Sequence, residues 1–218
     1  MVKQKIIPCL WFDENAEEAV NFYLSVFKNS KILNTAKYLV DTPSNKPIGS
    51  VMTVSFELDG YGFLALNGGP YFKMNPSISF HVKCKTKDEV DAIWEKLSEN
   101  GKVLMPLDKY PFSERYGWLQ DKFGLSWQII FADDVEMTQR ITPILMFVGD
   151  VCGKAEEGVK FYASVFKKAK VGDIFRYGKN EKPDKEGTVK YTHFTLEGHE
   201  FGAMDSAHKH NFKFNEAI

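Results

Sequence analysis

The stretch "AEEAVNFYLSVFKNSKI" runs from Ala16 to Ile32, and "AEEGVKFYASVFKKAKV" runs from Ala155 to Val171. One chain of 218 residues carries the same segment twice. Both copies read as amphipathic helices. Ala16, Ala19, Val20, Tyr23 and Phe27 recur at spacings of three and four, and so do Ala155, Val159, Tyr162 and Phe166. The likeness extends outward. Upstream, "IIPCLWF" (Ile6 to Phe12) matches "ITPILMF" (Ile141 to Phe147). Downstream, "FELDGYGFLALN" (Phe56 to Asn67) matches "FTLEGHEFGAMD" (Phe194 to Asp205), and "FKMNPSI" (Phe72 to Ile78) matches "FKFNEAI" (Phe212 to Ile218). A repeat of this length marks two copies of one supersecondary unit.

Each copy reads strand, helix, strand, strand, strand. In the first, strands are expected at Ile6 to Phe12, Lys31 to Val40, Ser50 to Leu58 and Gly62 to Asn67. The helix covers Asn15 to Lys28. The loop "DTPSNKPIG" separates the second and third strands, and Asp59-Gly60 turns the third into the fourth. Between the copies lies a stretch of the same order and little sequence likeness. "SISFHVKC" (Ser77 to Cys84) is a strand, and "DEVDAIWEKLSENG" is a helix closed by Gly101. Strands follow near Lys102 to Leu107, Arg115 to Asp121 and Ser126 to Phe131. The expected class is α+β, with three βαβββ units at 6–67, 77–131 and 140–218 and a polar linker, "ADDVEMTQR", before the third.

The bulk numbers exclude several roles. Net charge is −1, with basic and acidic residues interspersed, so nothing draws the chain to nucleic acid or to an anionic membrane. No apolar run is long enough to span a bilayer. Cys9, Cys84 and Cys152 form no CxxC pair and read as buried thiols of a cytoplasmic protein.

"IIPCLWFDENAEEAVNFYLSVFKNSKI" and "YGWLQDKFGLSWQII" resemble the 3-demethylubiquinone 3-methyltransferase-like (PhnB-like) family of the glyoxalase/bleomycin-resistance/dioxygenase, or vicinal oxygen chelate, superfamily. The resemblance implies that two βαβββ units pair and enclose a cup. Residues 1–134 then form one complete domain. The unit at 140–218 is the first half of a second domain and lacks its partner. A homodimer through 141–205 would supply that partner.

In metal-binding relatives a His lies in the first strand of each unit and an acid near the end of its last. By the resemblance these positions fall on Pro8, Ser79, Asn67 and Gln128, which are poor ligands for a divalent ion, so no metal and no other cofactor is expected. Strand alternation places Pro8, Leu10, Phe12, Ser55, His81, Trp118 and Gln128 on the inner wall of the cup as ligand-binding candidates. Gln128 is the candidate for orienting a ligand, since an amide both donates and accepts. Trp127, Phe123 and Gly124 read as core and turn, and Arg115 as a surface ion pair with Glu114. His208 and His210 in "HKH" read as exposed.

"GYGFLALNGG" lacks the following helix that a phosphate cradle needs, and no Ser-His-Asp or Cys-His set can be assembled. The reading that emerges is a binder of a small, partly apolar organic molecule. The alternatives are an enzyme of the same superfamily (a metal-dependent lyase, isomerase or dioxygenase, or a methyltransferase as the label says) and an assembly role for the third unit. The strand order argues against an S-adenosylmethionine fold, which alternates parallel strands and helices after a Gly-rich turn.

Overall fold

The structure is a computed structural model that describes residues 4–40, 46–132 and 137–218. Parts of the first-unit loop and of the polar linker lie outside the described residues. The first unit is β1 (Cys9–Phe12), α1 (Ala16–Val26), β2 (Lys31–Lys37), β3 (Val51–Leu58) and β4 (Tyr61–Asn67). The second is β5 (Ile78–Cys84), α2 (Lys87–Ser98), β6 (Lys102–Tyr110), β7 (Ser113–Gln120) and β8 (Ser126–Phe131). The third is β9 (Ile141–Val148), α3 (Ala155–Val165), β10 (Ala169–Arg176), β11 (Val189–Leu196) and β12 (His199–Ser206).

The helices begin where orphan N–H groups find acceptors. Thr86 caps α2 by accepting from Glu89 N at 3.1 Å, and the Glu89 carboxylate accepts from Lys85 N at 3.0 Å. The repeated helices are capped from a strand instead. Asn67, at the end of β4, accepts from Ala16 N at 2.9 Å and donates to the Val51 carbonyl at 2.9 Å. In the third unit Asp205 takes this place, accepting from Gly153 N (2.6 Å), Ala155 N (3.2 Å) and Val189 N (2.9 Å). Asn67 is therefore a buried cap on the helix side of its sheet. Its side chain is engaged by the first turn of α1 and by the Val51 carbonyl.

The strands form two sheets. The first unit stands alone as β1-β4-β3-β2, whereas the second and third join in one eight-stranded sheet, β10-β11-β12-β9-β5-β8-β7-β6. The join is antiparallel, with Ile78 opposite Leu145 and Val82 opposite Ile141. Met146 N–H donates to the Ser77 carbonyl at one end and Lys83 N–H to the Arg140 carbonyl at the other. The third unit thus has its partner within the chain. This differs from the expected closed pair at 6–131 and the expected unpaired third unit. The physical reason is that any first strand of these units offers the same free edge, so adjacency along the chain does not choose the partner.

The first unit packs back to back on the second. Tyr23 and Phe27 lie on Trp127 with ring centroids 5.6 and 5.2 Å apart, and Phe63 lies on Phe80 at 5.0 Å. Leu10, Phe12, Tyr23, Phe56, Phe80 and Trp127 share this core, while the third unit has its own around Phe147, Val159, Phe194 and Phe201. Leu10 and Phe12 therefore point toward the helices, together with Ala16 and Val20. They do not share a face with His81 or Gln128. In β1 the opposite parity, Cys9 and Trp11, is half-buried, with Trp11 packed at the margin of the core on Phe72 at 5.0 Å.

Candidate functional site

Pairing of β5 with β9 places two sets of alternate residues side by side on the helix-free face of the eight-stranded sheet. On β5 these are Ser79, His81 and Lys83, between core-facing Phe80, Val82 and Cys84. On β9 they are Thr142, Ile144 and Met146, and the register sets His81 opposite Thr142 and Ser79 opposite Ile144. The two-fold character of the join makes Thr142 the counterpart of Ser79, and Ile144 the counterpart of His81. On the other side of β5, Gln128 of β8 is level with His81, and Trp118 of β7 is level with Gln128.

A chain of hydrogen bonds crosses this face. Tyr116 Oη donates to Gln128 Oε1 at 2.8 Å, and Gln128 Nε2 donates to Ser79 Oγ at 2.7 Å. Trp118 Nε1 donates to Ser126 Oγ at 2.8 Å. Gln128 is thus already held at both ends. It positions the Ser79 hydroxyl, whose proton stays free to be donated onward.

Beside this satisfied chain lie two unsatisfied groups. Both ring nitrogens of His81 and the Thr142 hydroxyl are shielded from water and have no hydrogen-bond partner. An orphaned buried polar group costs about 1–3 kcal/mol, so two of them in register are unusual for a surface with a purely structural role. Burial, and secondarily Lys83, lower the His81 pKa to about 4, so the ring is neutral near pH 7. Lys83 is paired with Glu200 of β12 at 2.8 Å. The nearby charges cancel, and the polar groups left over are neutral.

Of the sequence candidates, the structure brings His81, Trp118 and Gln128 together, with Ser79 beside them. Ser55 lies on the open face of the first unit's sheet, and Pro8, Leu10 and Phe12 belong to that unit as well. Thr142, Tyr116 and Ser126 were missed. The alternation in "ITPILMF" marks Thr142, but only once β9 is known to pair with β5. Arg115 is ion-paired with Asp91 at 2.7 Å rather than with Glu114, which pairs with Lys109. His210 Nε2 is 2.8 Å from Ser206 Oγ, and His208 is 3.8 Å from the Asp184 carboxylate, at the far end of β12.

The residues do not fit a divalent metal. The central face offers one imidazole, two hydroxyls and an amide, and among the described residues no three His, Cys, Asp or Glu converge on a point. A groove of about 770 Å³ between α1 and α2 is lined by Phe27, Ile93, Lys96 and Arg140 among others. Its Arg140 is engaged by Asp59 and Glu89, and its Lys96 by the Ser25 carbonyl.

Paired βαβββ units joined through their first strands, with helices on one face and a polar cluster on the other, define the glyoxalase/bleomycin-resistance fold. A glyoxalase I variant from Zea mays is similar to this chain over 91% of its length and 67% of its own, with a TM-score of 0.54 at 13% identity, a likeness of fold alone. The chain belongs to the family described as 3-demethylubiquinone-9 3-methyltransferase, which matches residues 4–130 and 139–218. A PhnB protein from Bacillus cereus, described as a putative member of that family, is 40% identical over 59% of this chain and 100% of its own, with a TM-score of 0.55. A protein from Pseudomonas aeruginosa is 22% identical over 59% of this chain, with a TM-score of 0.50. No curated protein matches the chain.

Proposed function

We propose that the chain binds a small, uncharged, partly apolar organic molecule on the helix-free face of the eight-stranded sheet. The observation that carries this reading is the register pair His81–Thr142, dry and without partners. Ser79, His81 and Thr142 hold the polar end of the ligand, with Gln128 setting the Ser79 hydroxyl. Trp118 and Ile144 flank the apolar part. A neutral imidazole beside two hydroxyls suits a carbonyl, amide or hydroxyl better than a carboxylate or phosphate. The family label names a methyltransferase. Against methyl transfer stands a strand order without the Gly-rich strand-to-helix turn that grips a nucleoside cofactor.

The free thiols Cys9, Cys84 and Cys152 agree with a cytoplasmic protein. No helix among the described residues is long and apolar enough to cross a membrane. The homodimer through 141–205 loses its first ground, because β9 is already paired with β5.

The test is native mass spectrometry of the purified chain for a retained organic molecule, followed by metal analysis. A retained neutral compound that is lost in H81F and in T142V supports the reading. Stoichiometric Zn, Mn, Ni or Fe, or S-adenosylmethionine-dependent methylation of a quinol by the pure protein, overturns it.

A further inference from the structure

One contact occurs twice in the molecule. Met146 N–H of β9 donates to the Ser77 carbonyl at 2.8 Å, where the lead-in to β5 meets the third unit. Trp11 N–H of β1 donates to the Ala217 carbonyl at 2.9 Å. In the repeat Trp11 corresponds to Met146, and Ala217 corresponds to Ser77. The two lead-in segments also face each other reciprocally. Asn75 Nδ2 donates to the Lys213 carbonyl (3.0 Å), and Asn215 Nδ2 to the Lys73 carbonyl (2.9 Å). Asn75 Oδ1 accepts from Ser77 N (2.9 Å), and Asn215 Oδ1 from Ala217 N (3.1 Å). A local two-fold therefore carries the first unit onto the third, and the lead-in of the second unit onto residues 212–218.

Under that operation two surfaces lack the cover that their twins have. The edge of β9 is paired with β5, whereas β1 has no strand on its outer edge among the described residues, and Ile7 beside it is 52% exposed. On α1, Phe22 packs on Phe123 at 5.7 Å and Val26 is 7% exposed beneath the second unit. On α3 the corresponding Phe161 and Val165 are 62% and 60% exposed. What covers both twins is the second unit: its first strand at the β9 edge, its Phe123 and Trp127 at the α1 face.

We propose that the β1 edge and the α3 face are one docking surface for a further βαβββ unit of the second kind, its first strand running antiparallel to β1 from Ile218. Ile218 then lies opposite Leu10, as Ile78 lies opposite Leu145. Closure is the reason for a single occupant. The rotation that takes the first unit to the third takes the second to one position, and that position touches both bare surfaces. A second copy of the chain does not fit as well, because Ala217, which is fully buried, already holds the lead-in place on β1.

The test compares the chain with a version in which residues 79–131 are appended after Ile218. The readouts are hydrogen exchange of the β1 amides, binding of an apolar dye and sedimentation. The expected result is a monomer in which exchange at Ile7 and Cys9, whose N–H groups share the outer edge with that of Trp11, slows roughly tenfold or more and dye binding falls. F161E with V165E should leave the 218-residue chain as stable as before and destabilise the extended one. Unchanged β1 exchange in a folded extended chain overturns the proposal. So does a 218-residue chain that is a dimer with protected β1 amides, since a second copy is then the occupant. If the extended chain does not fold, a 218-residue chain that binds no apolar dye and is destabilised by F161E with V165E overturns it equally.

Discussion

His81 of β5 and Thr142 of β9 lie directly opposite each other across the join of two units, and neither has a hydrogen-bond partner. Each costs stability in the free protein, and under the proposed function each gains its partner from the bound ligand. T142V replaces the hydroxyl with a methyl of nearly the same size. It is expected to raise unfolding free energy by about 1 kcal/mol, because an unmet desolvation cost disappears. The same change should weaken ligand retention. Urea denaturation and native mass spectrometry read the two effects, and their opposite signs separate a binding residue from a packing residue. A loss of stability in T142V would show that Thr142 has a structural partner.

Asn67 and Asp205 do one job in two units, and their chemistry ranks the cost of losing each. N67A removes one acceptor and one donor at the start of α1 and should cost about 1–2 kcal/mol. D205A removes a buried carboxylate that accepts from Gly153, Ala155 and Val189, and should cost more, about 3 kcal/mol. Neither should alter ligand retention in the fraction that stays folded. A selective loss of ligand in N67A would show that Asn67 does more than cap its helix.

The helix repeat and the βαβββ order were legible because they rest on local periodicity and turn residues. The pairing of units was not, because a first strand carries no mark of which neighbour takes its edge. That gap propagated. Leu10 and Phe12 were set on the ligand face although they alternate with Cys9 and Trp11 and sit beneath α1. Thr142 joins the site only through the pairing of β9 with β5, which no local pattern in its own strand specifies. His81, Trp118 and Gln128 share the helix-free face, because parity within β5, β7 and β8 is independent of the partner.

Gly117 of β7 lies beneath the indole of Trp94, and a Cβ built there would come within 2.3 Å of the ring. The contact is how α2 seats on its sheet. G117A forces Trp94 out of its place and should cost about 1–3 kcal/mol, as overpacking of a tight contact does. Trp94 fluorescence should shift to the red as the ring gains water. The double variant G117A with W94A should be less destabilised than the two single costs together predict. Additive costs would mean that the two residues do not bear on each other.

Asp121 and His81 titrate in the same range with opposite consequences. Burial raises the Asp121 pKa to about 6, despite bonds from Trp127 Nε1 and from the Phe123 and Leu125 amides. Between about pH 4 and 6 the folded chain therefore holds a proton at Asp121 that the unfolded chain has lost, and stability falls as pH rises. The His81 pKa is lowered to about 4. Between about pH 4 and 6.5 the unfolded chain holds the extra proton there, and stability rises with pH. Each shift is worth about 3 kcal/mol across its window, so the two largely offset in the native chain. D121N removes the falling contribution and should leave stability climbing steeply from pH 4 to 6.5. H81F removes the rising one and should leave stability declining from pH 4 to 6. Urea midpoints across this range check both, and two variants that each keep the native pH profile would show that neither group titrates as its surroundings require.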